Sequence, residues 1–299
     1  MGSDLSYGAR ARGALERGDF RFARRLGQNF LLDDAVLDDI AARAGVQAGD
    51  AVLEIGPGAG TLTAALLRRG ARVLAIELDA ELEPVLRSLL GGQPGFELIM
   101  ADALKCDTEA LRARLEALRA PGGRLCVTAN LPYYITGDIL ARYALGVTRF
   151  DMLCVLVQRE AAERMAARVG EAQYCLLSAQ LGWRYELESV MELSRELFTP
   201  RPHVDSTLIR LTPRATPPAP VRDEAMLQRV LRAAFLMRRK TMLNNICAAF
   251  KLPRADAQAV LEAAGLAANV RGEALEPEQL ARLSDALSVR LGAPDGALK

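Results

Sequence analysis

The sequence of 299 residues is poor in the side chains that most often build metal centres, with one histidine and five cysteines. The cysteines are scattered without a Cys-x-x-Cys pair, and His203 is the only imidazole that could join them. Zinc sites need three or four such ligands, and a disulfide framework needs paired cysteines in a small secreted chain. The sequence therefore predicts neither a metal site nor a disulfide scaffold, and it indicates a reduced, cytoplasmic protein.

Long apolar runs and an excess of one charge are also missing. No stretch approaches the roughly 20 apolar residues of a membrane span, and no apolar core follows the N-terminal arginines as it would in a signal peptide. The formal net charge is +1, but residues 9–25 hold six arginines against two acids, and residues 225–251 hold six basic groups without an acid. Both segments could meet phosphate, although an arginine-rich composition alone could also produce them.

Short apolar segments alternate with amphipathic ones between residue 51 and about residue 157. Buried strands form such runs and helices form the stretches between them, so the alternation predicts a parallel sheet wrapped by helices. The five predicted strands are AVLEI (51–55), RVLAIE (72–77), FELIM (96–100), RLCVTA (124–129) and MLCVLV (152–157). A helix that ends at Gly45 is expected before the first strand, in LLDDAVLDDIAARAG.

The pattern changes after residue 157, where two helical patterns precede YELESVMEL (185–193) and STLIRL (206–211). The last two segments predict strands that could pair and complete the sheet. PRATPPAP (213–220) indicates a linker, and only helical patterns follow it. We therefore expect a flexible basic N-terminus over residues 1–20, a sheet domain over 21–212, a linker over 213–221 and a small all-α domain over 222–299.

A glycine-rich loop, EIGPGAGTLT (54–63), follows the first predicted strand. Gly56, Gly58 and Gly60 allow the backbone to turn tightly and to approach a ligand without a Cβ atom in the way. The GxGxG spacing differs from the GxGxxG of dinucleotide sites, in which a pyrophosphate binds at a helix N-terminus. The loop alone indicates only some nucleotide-like cofactor.

Two acids end the next predicted strands, Glu77 the second strand and Asp102 the third. The carboxyl ends of parallel strands share one edge of a sheet, where ligands bind in such folds. Glu77 could accept from both hydroxyls of a ribose and Asp102 from an adenine amine, although each could instead cap a following helix. An acid that binds ribose without a pyrophosphate cradle favours S-adenosylmethionine over NAD, with the sulfonium supplying the chemistry.

The fourth predicted strand ends in NLPYYIT (130–136), an unusual exit for a buried strand. The side-chain carbonyl of Asn130 and a main-chain carbonyl of the Leu131–Pro132 turn can accept both hydrogens of an exocyclic amine. Two acceptors outside the ring plane favour a tetrahedral nitrogen whose lone pair faces the methyl group. Tyr133 offers a stacking face, so the target base is expected to leave its helix and enter a pocket. Alternatively, Pro132 and the tyrosines form a packed turn.

Seven segments together resemble the ribosomal RNA adenine dimethyltransferases, and within them the bacterial small-subunit group. They are RRLGQNFLLD (24–33), LEIGPGAGTLT (53–63), IELD (76–79), DAL (102–104), NLPYYIT (130–136), FTPRPHVDS (198–206) and FLMRRKTMLNN (235–245). The resemblance implies a Rossmann-like methyltransferase sheet of the S-adenosylmethionine-dependent type, with S-adenosylhomocysteine as product. It also implies dimethylation of the exocyclic amines of two adjacent adenosines near the 3′ end of small-subunit (16S) rRNA, on an assembling subunit. We expect the protein to be a monomer that binds neither a metal nor a membrane.

The resemblance also assigns residues that local pattern does not. It implies cofactor contacts from the GQNF segment, which closes over the cofactor, and an aromatic wall of the base pocket from Phe198. The implied cofactor contacts are Gln28, Asn29, Leu31, Gly56, Glu77, Asp102 and Asn130, with Gly58 in the same loop. Arg238, Arg239 and Lys240 are expected to open a helix and to contact rRNA phosphates, unless they form a solvated face. Two departures from the family pattern are Cys175 and Met237.

Other functions share some of these features. A large-subunit adenine methyltransferase of the antibiotic-resistance type has the same catalytic motifs, but residues 235–245 argue against it. A ribosome-assembly factor could keep the fold and bind RNA without turnover, although the glycine loop, the two acids and NLPY argue against a loss of chemistry. An NAD-dependent dehydrogenase would need a differently spaced third glycine and a group that handles hydride chemistry, and neither is found.

Overall fold

A computed structural model describes residues 6–17, 28–131 and 135–292. The chain divides into two compact units: residues up to 162 together with 186–213, and residues 163–185 together with 214 onwards. The first, the sheet unit, carries the predicted cofactor residues. The second, the helical unit, carries the basic segment near residue 239.

Among the described residues, the sheet unit contains nine strands, six whole helices and the start of a seventh. Its helices are α1 (Tyr7–Arg17), α2 (Asp34–Arg43), α3 (Thr61–Arg68), α4 (Glu83–Leu90), α5 (Thr108–Leu118), α6 (Thr136–Tyr143) and the start of α7 (Arg159–Ala166). Its strands are β1 (Phe30–Leu31), β2 (Ala51–Ile55), β3 (Arg72–Glu77), β4 (Phe96–Met100), β5 (Leu125–Asn130), β6 (Met152–Gln158), β7 (Tyr185–Leu193), β8 (Phe198–Thr199) and β9 (Ser206–Pro213).

Seven strands form one sheet in the order β4-β3-β2-β5-β6-β9-β7. β4, β3, β2, β5 and β6 are parallel, and β9 runs antiparallel to β6. The chain leaves central β2 toward β3 and β4 and later returns to its other side as β5, so the order reverses between β2 and β5. A cleft opens at such a reversal, beyond the carboxyl ends of the strands. The predicted sheet, including its completion by the last two strands, is confirmed.

The central predicted strands form because their side chains are buried on both faces. All five residues of β2 are buried, as are the last five of β3 and the first five of β5. Continuous apolar runs of this kind are typical of parallel sheets covered by helices. A second sheet, which the sequence analysis does not predict, pairs Phe30 with Thr199 and Leu31 with Phe198.

The N-terminus differs from the flexible segment expected over residues 1–20. Residues 7–17 form helix α1, and Tyr7, Ala11 and Leu15 are buried in one cluster with residues of α4. These three residues lie four apart, so they share one face of the helix. The main-chain N–H groups of Tyr7 and Gly8 donate to the Asp34 carboxylate at 2.7 and 2.9 Å. Burial of this apolar stripe therefore holds α1 on the sheet unit.

The helical unit begins earlier in the chain than the sequence analysis expects. Residues 163–185, assigned there to the sheet domain, belong to the helical unit, because Tyr174, Ala179 and Trp183 are buried in its core. The residues after Pro213 also belong to this unit. Its helices are the rest of α7, α8 (Leu176–Arg184), α9 (Glu224–Ala234), α10 (Met242–Phe250), α11 (Arg254–Ala263) and α12 (Pro277–Leu291).

The departure at Cys175 leaves the start of α8 intact, since the Cys175 main-chain N–H donates to Ser178 Oγ at 2.8 Å. Within the described part of the chain, no helix is long and apolar enough to cross a membrane.

Candidate active site

A cavity opens at the carboxyl edge of the sheet, at the reversal between β2 and β5. It brings together residues from five separate parts of the sequence. The predicted site residues that line it are Gln28, Asn29, Leu31, Gly56, Gly58, Glu77, Asp102, Asn130 and Leu131. The fold therefore gathers at one place most of the residues that the sequence and the resemblance assign to cofactor binding.

The glycine loop turns from β2 into α3 through three left-handed residues. Gly56, Gly58 and Gly60 have φ angles of 69°, 60° and 74°, a region that side-chain-bearing residues rarely adopt. A Cβ atom at Gly58 would lie 3.0 Å from Phe30 Cε1, and one at Gly60 would lie 2.6 Å from Leu90 Cδ1. The loop therefore needs glycine both for its backbone angles and for close packing against Phe30 and α4.

Glu77 joins the end of β3 to this glycine loop. Its Oε2 atom accepts from the Gly58 main-chain N–H at 3.1 Å, and its Oε1 atom accepts from those of Leu78 and Asp79 at 2.9 Å. Burial raises the pKa of Glu77, and these backbone donors oppose the shift. The following helical turn is capped by Asp79 and not by Glu77. A carboxylate has about four acceptor positions, so Glu77 keeps capacity for a ligand.

Asp102 occupies a compact turn after β4. Its Oδ1 atom accepts from the Leu104 main-chain N–H at 2.9 Å, and Lys105 lies 3.5 Å from its Oδ2 atom. The Lys105 side chain is 83% exposed, so this ion pair is weak. Asp107 caps the helix that follows, α5, so the proposed alternative role of Asp102 as a helix cap falls to another residue.

Asn130 ends β5 with its amide held in one orientation. Its Nδ2 atom donates to the main-chain carbonyl of Asn29 at 3.0 Å. A reversed amide would place two oxygens against each other, so the bond fixes which end of the side chain is the donor. The Oδ1 atom is then the acceptor that Asn130 offers to a ligand. The Leu131 N–H donates to Leu156 O at 3.1 Å, which holds the next residue.

The segment of residues 28–31 is tied to the site from three sides. Gln28 Nε2 donates to Asp79 Oδ2 at 2.6 Å, and Thr61 Oγ1 donates to the Leu31 carbonyl at 2.8 Å. Asn130 holds Asn29, as described above, and Leu31 pairs with Phe198 in the small sheet. These contacts place the segment along the cavity, beside the glycine loop.

Comparisons with known proteins identify the family of the chain. The profile of the family described as "Ribosomal RNA adenine dimethylase" matches residues 19–288. The chain belongs to the ribosomal RNA adenine dimethylase family. It is therefore an S-adenosylmethionine-dependent rRNA adenine dimethyltransferase with a Rossmann-like sheet, as the resemblance predicts.

Curated relatives of this dimethylase match it over almost their full length. Ribosomal RNA small subunit methyltransferase A of Geobacillus thermodenitrificans is 38% identical over 290 residues, which are 96% of this chain and 98% of that protein. The protein of the same name from Clostridium perfringens strain 13 is 40% identical over 276 residues, or 91% of this chain and 93% of that protein.

Solved structures show the same likeness in three dimensions. A dimethyladenosine transferase from Plasmodium falciparum is 26% identical with a TM-score of 0.66, and the match covers 84% of this chain and 94% of that chain. The 23S rRNA methyltransferase ErmE is 29% identical with a TM-score of 0.62, and the match covers 87% of this chain and 100% of that chain.

Of the residues assigned to the base pocket, the structure describes Phe198 but not Pro132 and Tyr133. Phe198 is 4% exposed, belongs to a core cluster with Leu31 and Leu208, and is not among the residues that line the cavity. Stacking of Phe198 on a base therefore stays a prediction that requires this side chain to be uncovered.

The sequence analysis expects the basic residues Arg238, Arg239 and Lys240 to open a helix, and this prediction is wrong. They lie in a turn of the dimethylase's helical unit. Residues 235–240 precede α10, which begins at Met242 with Thr241 as its N-cap. Arg238 pairs with Glu273 at 3.1 Å and donates to Tyr174 O. Arg239 and Lys240 are exposed. The hydroxyl cap of Thr241 sets the start of the helix, which leaves the basic run outside it.

Glu54 is a cavity residue that the sequence analysis overlooks. It lies one residue from the carboxyl end of apolar β2, is 1% exposed and lines the cavity beside Thr128, its partner on β5. Its Oε2 atom has no hydrogen-bond partner among the described residues. Burial raises the pKa of Glu54 to about 7, and the neighbouring Glu77 acts in the same direction. The available signal was one acid inside AVLEI, in a run that otherwise reads as core.

Proposed function

We propose that this chain dimethylates the exocyclic amines of two adjacent adenosines near the 3′ end of 16S rRNA, within an assembling small subunit. The observation that carries the proposal is the fixed amide of Asn130 at the edge of the cavity, with its Oδ1 atom as the acceptor. The names of the curated relatives, small subunit methyltransferase A, support the choice of rRNA.

The residues that line the cavity fit S-adenosylmethionine. Glu77 offers acceptor positions for ribose hydroxyls, and Asp102 offers them for an adenine amine. The Oε2 atom of Glu54, which has no hydrogen-bond partner among the described residues, suits a polar group of the ligand, since a buried polar atom is stabilised by a hydrogen bond. Gln28, Asn29 and Leu31 form the wall beside the glycine loop. When bound, the cofactor supplies a methyl group made electrophilic by its sulfonium.

The chain's part of the reaction is to make the target amine nucleophilic and to orient it. Asn130 Oδ1 and the Leu131 main-chain carbonyl accept the two amine hydrogens, which draws the nitrogen toward tetrahedral geometry and frees its lone pair. Asn29 O accepts from Asn130 Nδ2, and Leu156 O accepts from the Leu131 N–H, so both residues are held in place and little reorganisation is needed at the moment of transfer. The methylated nitrogen is acidic and loses its proton to water, so no side chain is required as a base. Tyr133 and Phe198 are the proposed stacking partners of the base.

The reaction also needs no metal ion, because the leaving group is a neutral thioether and no developing negative charge has to be stabilised. We assign phosphate binding to Arg239 and Lys240, with Arg238 contributing less while it is paired with Glu273. We further propose that the enzyme acts as a monomer in the cytoplasm, where ribosomal subunits are assembled.

One assay tests the function. The protein is incubated with labelled S-adenosylmethionine and unmethylated small or large ribosomal subunits, and the modified nucleotides are mapped. We expect two adjacent dimethyladenosines in the small subunit. Label confined to the large subunit would instead favour the activity named for ErmE, and stable subunit binding without any methylation would favour a non-catalytic assembly factor.

A further inference from the structure

Helix α6 lies between two parts of the site, the segment that carries Asn130 and the turn that carries Asp102. It begins at Thr136, within the NLPYYIT segment that carries Asn130, and it ends at Tyr143. Eight residues of α-helix span about 12 Å. The last turn of α6 lies against the turn that carries Asp102, so a single rigid element joins the target-base segment to the Asp102 turn.

The Asp102 turn exposes its own carbonyl groups to α6. Within the turn, the main-chain N–H groups of Lys105 and Cys106 donate to Asp102 O at 2.9 and 3.2 Å. The carbonyls of Ala103 and Cys106 take no part in these bonds. The Tyr143 hydroxyl donates to Ala103 O at 2.7 Å, and Arg142 Nη2 donates to Cys106 O. Adjacent side chains of α6 therefore hold both ends of the turn.

Tyr143 is well suited to fix the turn rigidly. It is fully buried, and its ring packs against Phe150 with centroids 6.4 Å apart. Burial raises the pKa of Tyr143 to about 12, so the hydroxyl remains a donor at neutral pH. Its acceptor, Ala103, lies between Asp102 and Leu104, and all three residues line the cavity. A small displacement of Ala103 therefore moves the Asp102 carboxylate directly.

We propose that Tyr143, supported by Arg142, is a positioning residue that holds the Asp102 turn so that the Asp102 carboxylate recognises the adenine amine of the cofactor. The proposal rests on the proposed function, because it takes the adenine to lie at Asp102. Tyr143 touches neither cofactor nor RNA in this account. It acts only through the main-chain carbonyl of Ala103.

The test compares two ligands that differ at one group. S-adenosylhomocysteine carries the exocyclic amine, and S-inosylhomocysteine carries an oxygen in its place. Dissociation constants are measured by calorimetry for the wild type, for Tyr143→Phe, and for Tyr174→Phe as a control. Tyr174 is a buried tyrosine of the helical unit with its ring on Phe235, so its variant reports the loss of a buried hydroxyl outside the sheet unit.

The wild type should prefer S-adenosylhomocysteine. In Tyr143→Phe we expect affinity for this ligand to fall about three- to tenfold, the range for one hydrogen bond that holds a contact group. Affinity for S-inosylhomocysteine should change less than twofold, so discrimination shrinks. Arg142→Met should show the same pattern at smaller size, and it serves as the second variant if Tyr143→Phe does not fold. Tyr174→Phe should leave both affinities unchanged.

An equal loss for both ligands, or no loss for either, would overturn the proposal, because the hydroxyl would then only stabilise the fold. A wild type that binds S-adenosylhomocysteine but does not discriminate would remove the role of Asp102 and overturn the proposal as well. Failure of the wild type to bind S-adenosylhomocysteine at all would instead contradict the proposed function, and it is recognised before any variant is measured.

Discussion

Asn130 in the sheet unit and Asn245 in the helical unit each donate an amide N–H to a main-chain carbonyl. Asn130 donates to Asn29 O at 3.0 Å, and Asn245 donates to Ala234 O at 3.2 Å. Asn245 is fully buried, and its Oδ1 atom has no partner among the described residues. Asn130 instead lines a cavity, where its Oδ1 atom can meet a ligand. In the helical unit this bond therefore ties α10 to α9, whereas in the sheet unit it orients the Oδ1 atom of Asn130 toward the cavity.

The largest expected effect separates these two asparagines. Asn130→Ala should lower kcat by about 10²–10³-fold, the cost of removing one preorganised group that acts in the transition state. Its melting temperature should change less than that of Asn245→Ala, because the bond to Asn29 O is only part-buried and water can replace the lost donor. Asn245→Ala should leave kcat unchanged and lower stability by about 1–3 kcal/mol, because Ala234 O loses its donor. Single-turnover methylation of small subunits and thermal unfolding check both. Unchanged turnover in Asn130→Ala would remove this residue from the mechanism.

The second effect concerns the acid that holds the glycine loop. Glu77→Ala should weaken S-adenosylhomocysteine binding by at least about tenfold, because it removes both the ribose acceptor and the partner of the Gly58 N–H. Glu97→Ala is the matched control, since Glu97 lies on adjacent β4 but pairs at the surface with Arg114. Calorimetry should find the control within twofold of the wild type. Equal affinities for the two variants would place the ribose elsewhere.

A third prediction compares the acids at the two ends of β2. Burial raises the pKa of Glu54 to about 7, so in the folded chain it keeps its proton while the unfolded chain loses it. Wild-type stability should therefore fall between about pH 4.5 and pH 7 relative to Glu54→Gln. The difference should approach about 3 kcal/mol above pH 7. Denaturant unfolding at pH 5 and pH 8 measures it, and a gap independent of pH would contradict the assignment.

Asp50, just before β2, has its pKa shifted in the opposite direction to that of Glu54. Burial acts to raise the pKa of Asp50, but hydrogen bonds from the Arg124 side chain and the Gln47 main chain lower it on balance. Its stabilising effect is present above the pKa of the unfolded chain and is lost only in acid. Asp50→Asn should therefore destabilise the protein similarly at pH 5 and pH 8. The amino end of β2 thus carries a paired acid, and its carboxyl end carries an acid without a partner on Oε2.

The smallest effect is expected in the helical unit. Replacing Arg239 and Lys240 with alanine should weaken subunit binding. The slope of the logarithm of the binding constant against the logarithm of the salt concentration should become shallower by roughly 1–2, because two phosphate contacts are lost. Arg238→Ala should do less, since Glu273 already holds its guanidinium. Filter binding at several salt concentrations checks this. Binding unaffected by the double replacement would make the turn an ordinary solvated surface.

The sequence predicts the sheet well and its surroundings less well. The central strands are buried on both faces and leave continuous apolar runs. All seven strands of the main sheet fall within two residues of their predicted bounds. The pairing of Phe30 with Thr199 involves two residues on each side, far apart in sequence, so no local pattern reveals it. The apolar stripe of α1 is hidden among arginines, and residues 163–185 join the helical unit through tertiary packing alone.

The site shows the same division. Acids and amides at strand ends can be predicted because the topology brings those ends together, as for Glu77, Asp102 and Asn130. Glu54 lies inside a strand whose other residues are all apolar, so the sequence pattern assigns it to the core. Tyr143 acts through a main-chain carbonyl that no motif records. Roles that depend on which carbonyl a side chain reaches are visible only in the three-dimensional structure.

A crystal structure of the protein with S-adenosylhomocysteine and a short RNA containing the target adenosines tests the central claim most directly. We expect Asn130 Oδ1 within about 3.2 Å of the exocyclic nitrogen, with Nδ2 still bonded to Asn29 O. An Asn130 amide turned so that Nδ2 faces the base, or an amine more than about 4 Å from Oδ1, would contradict the account.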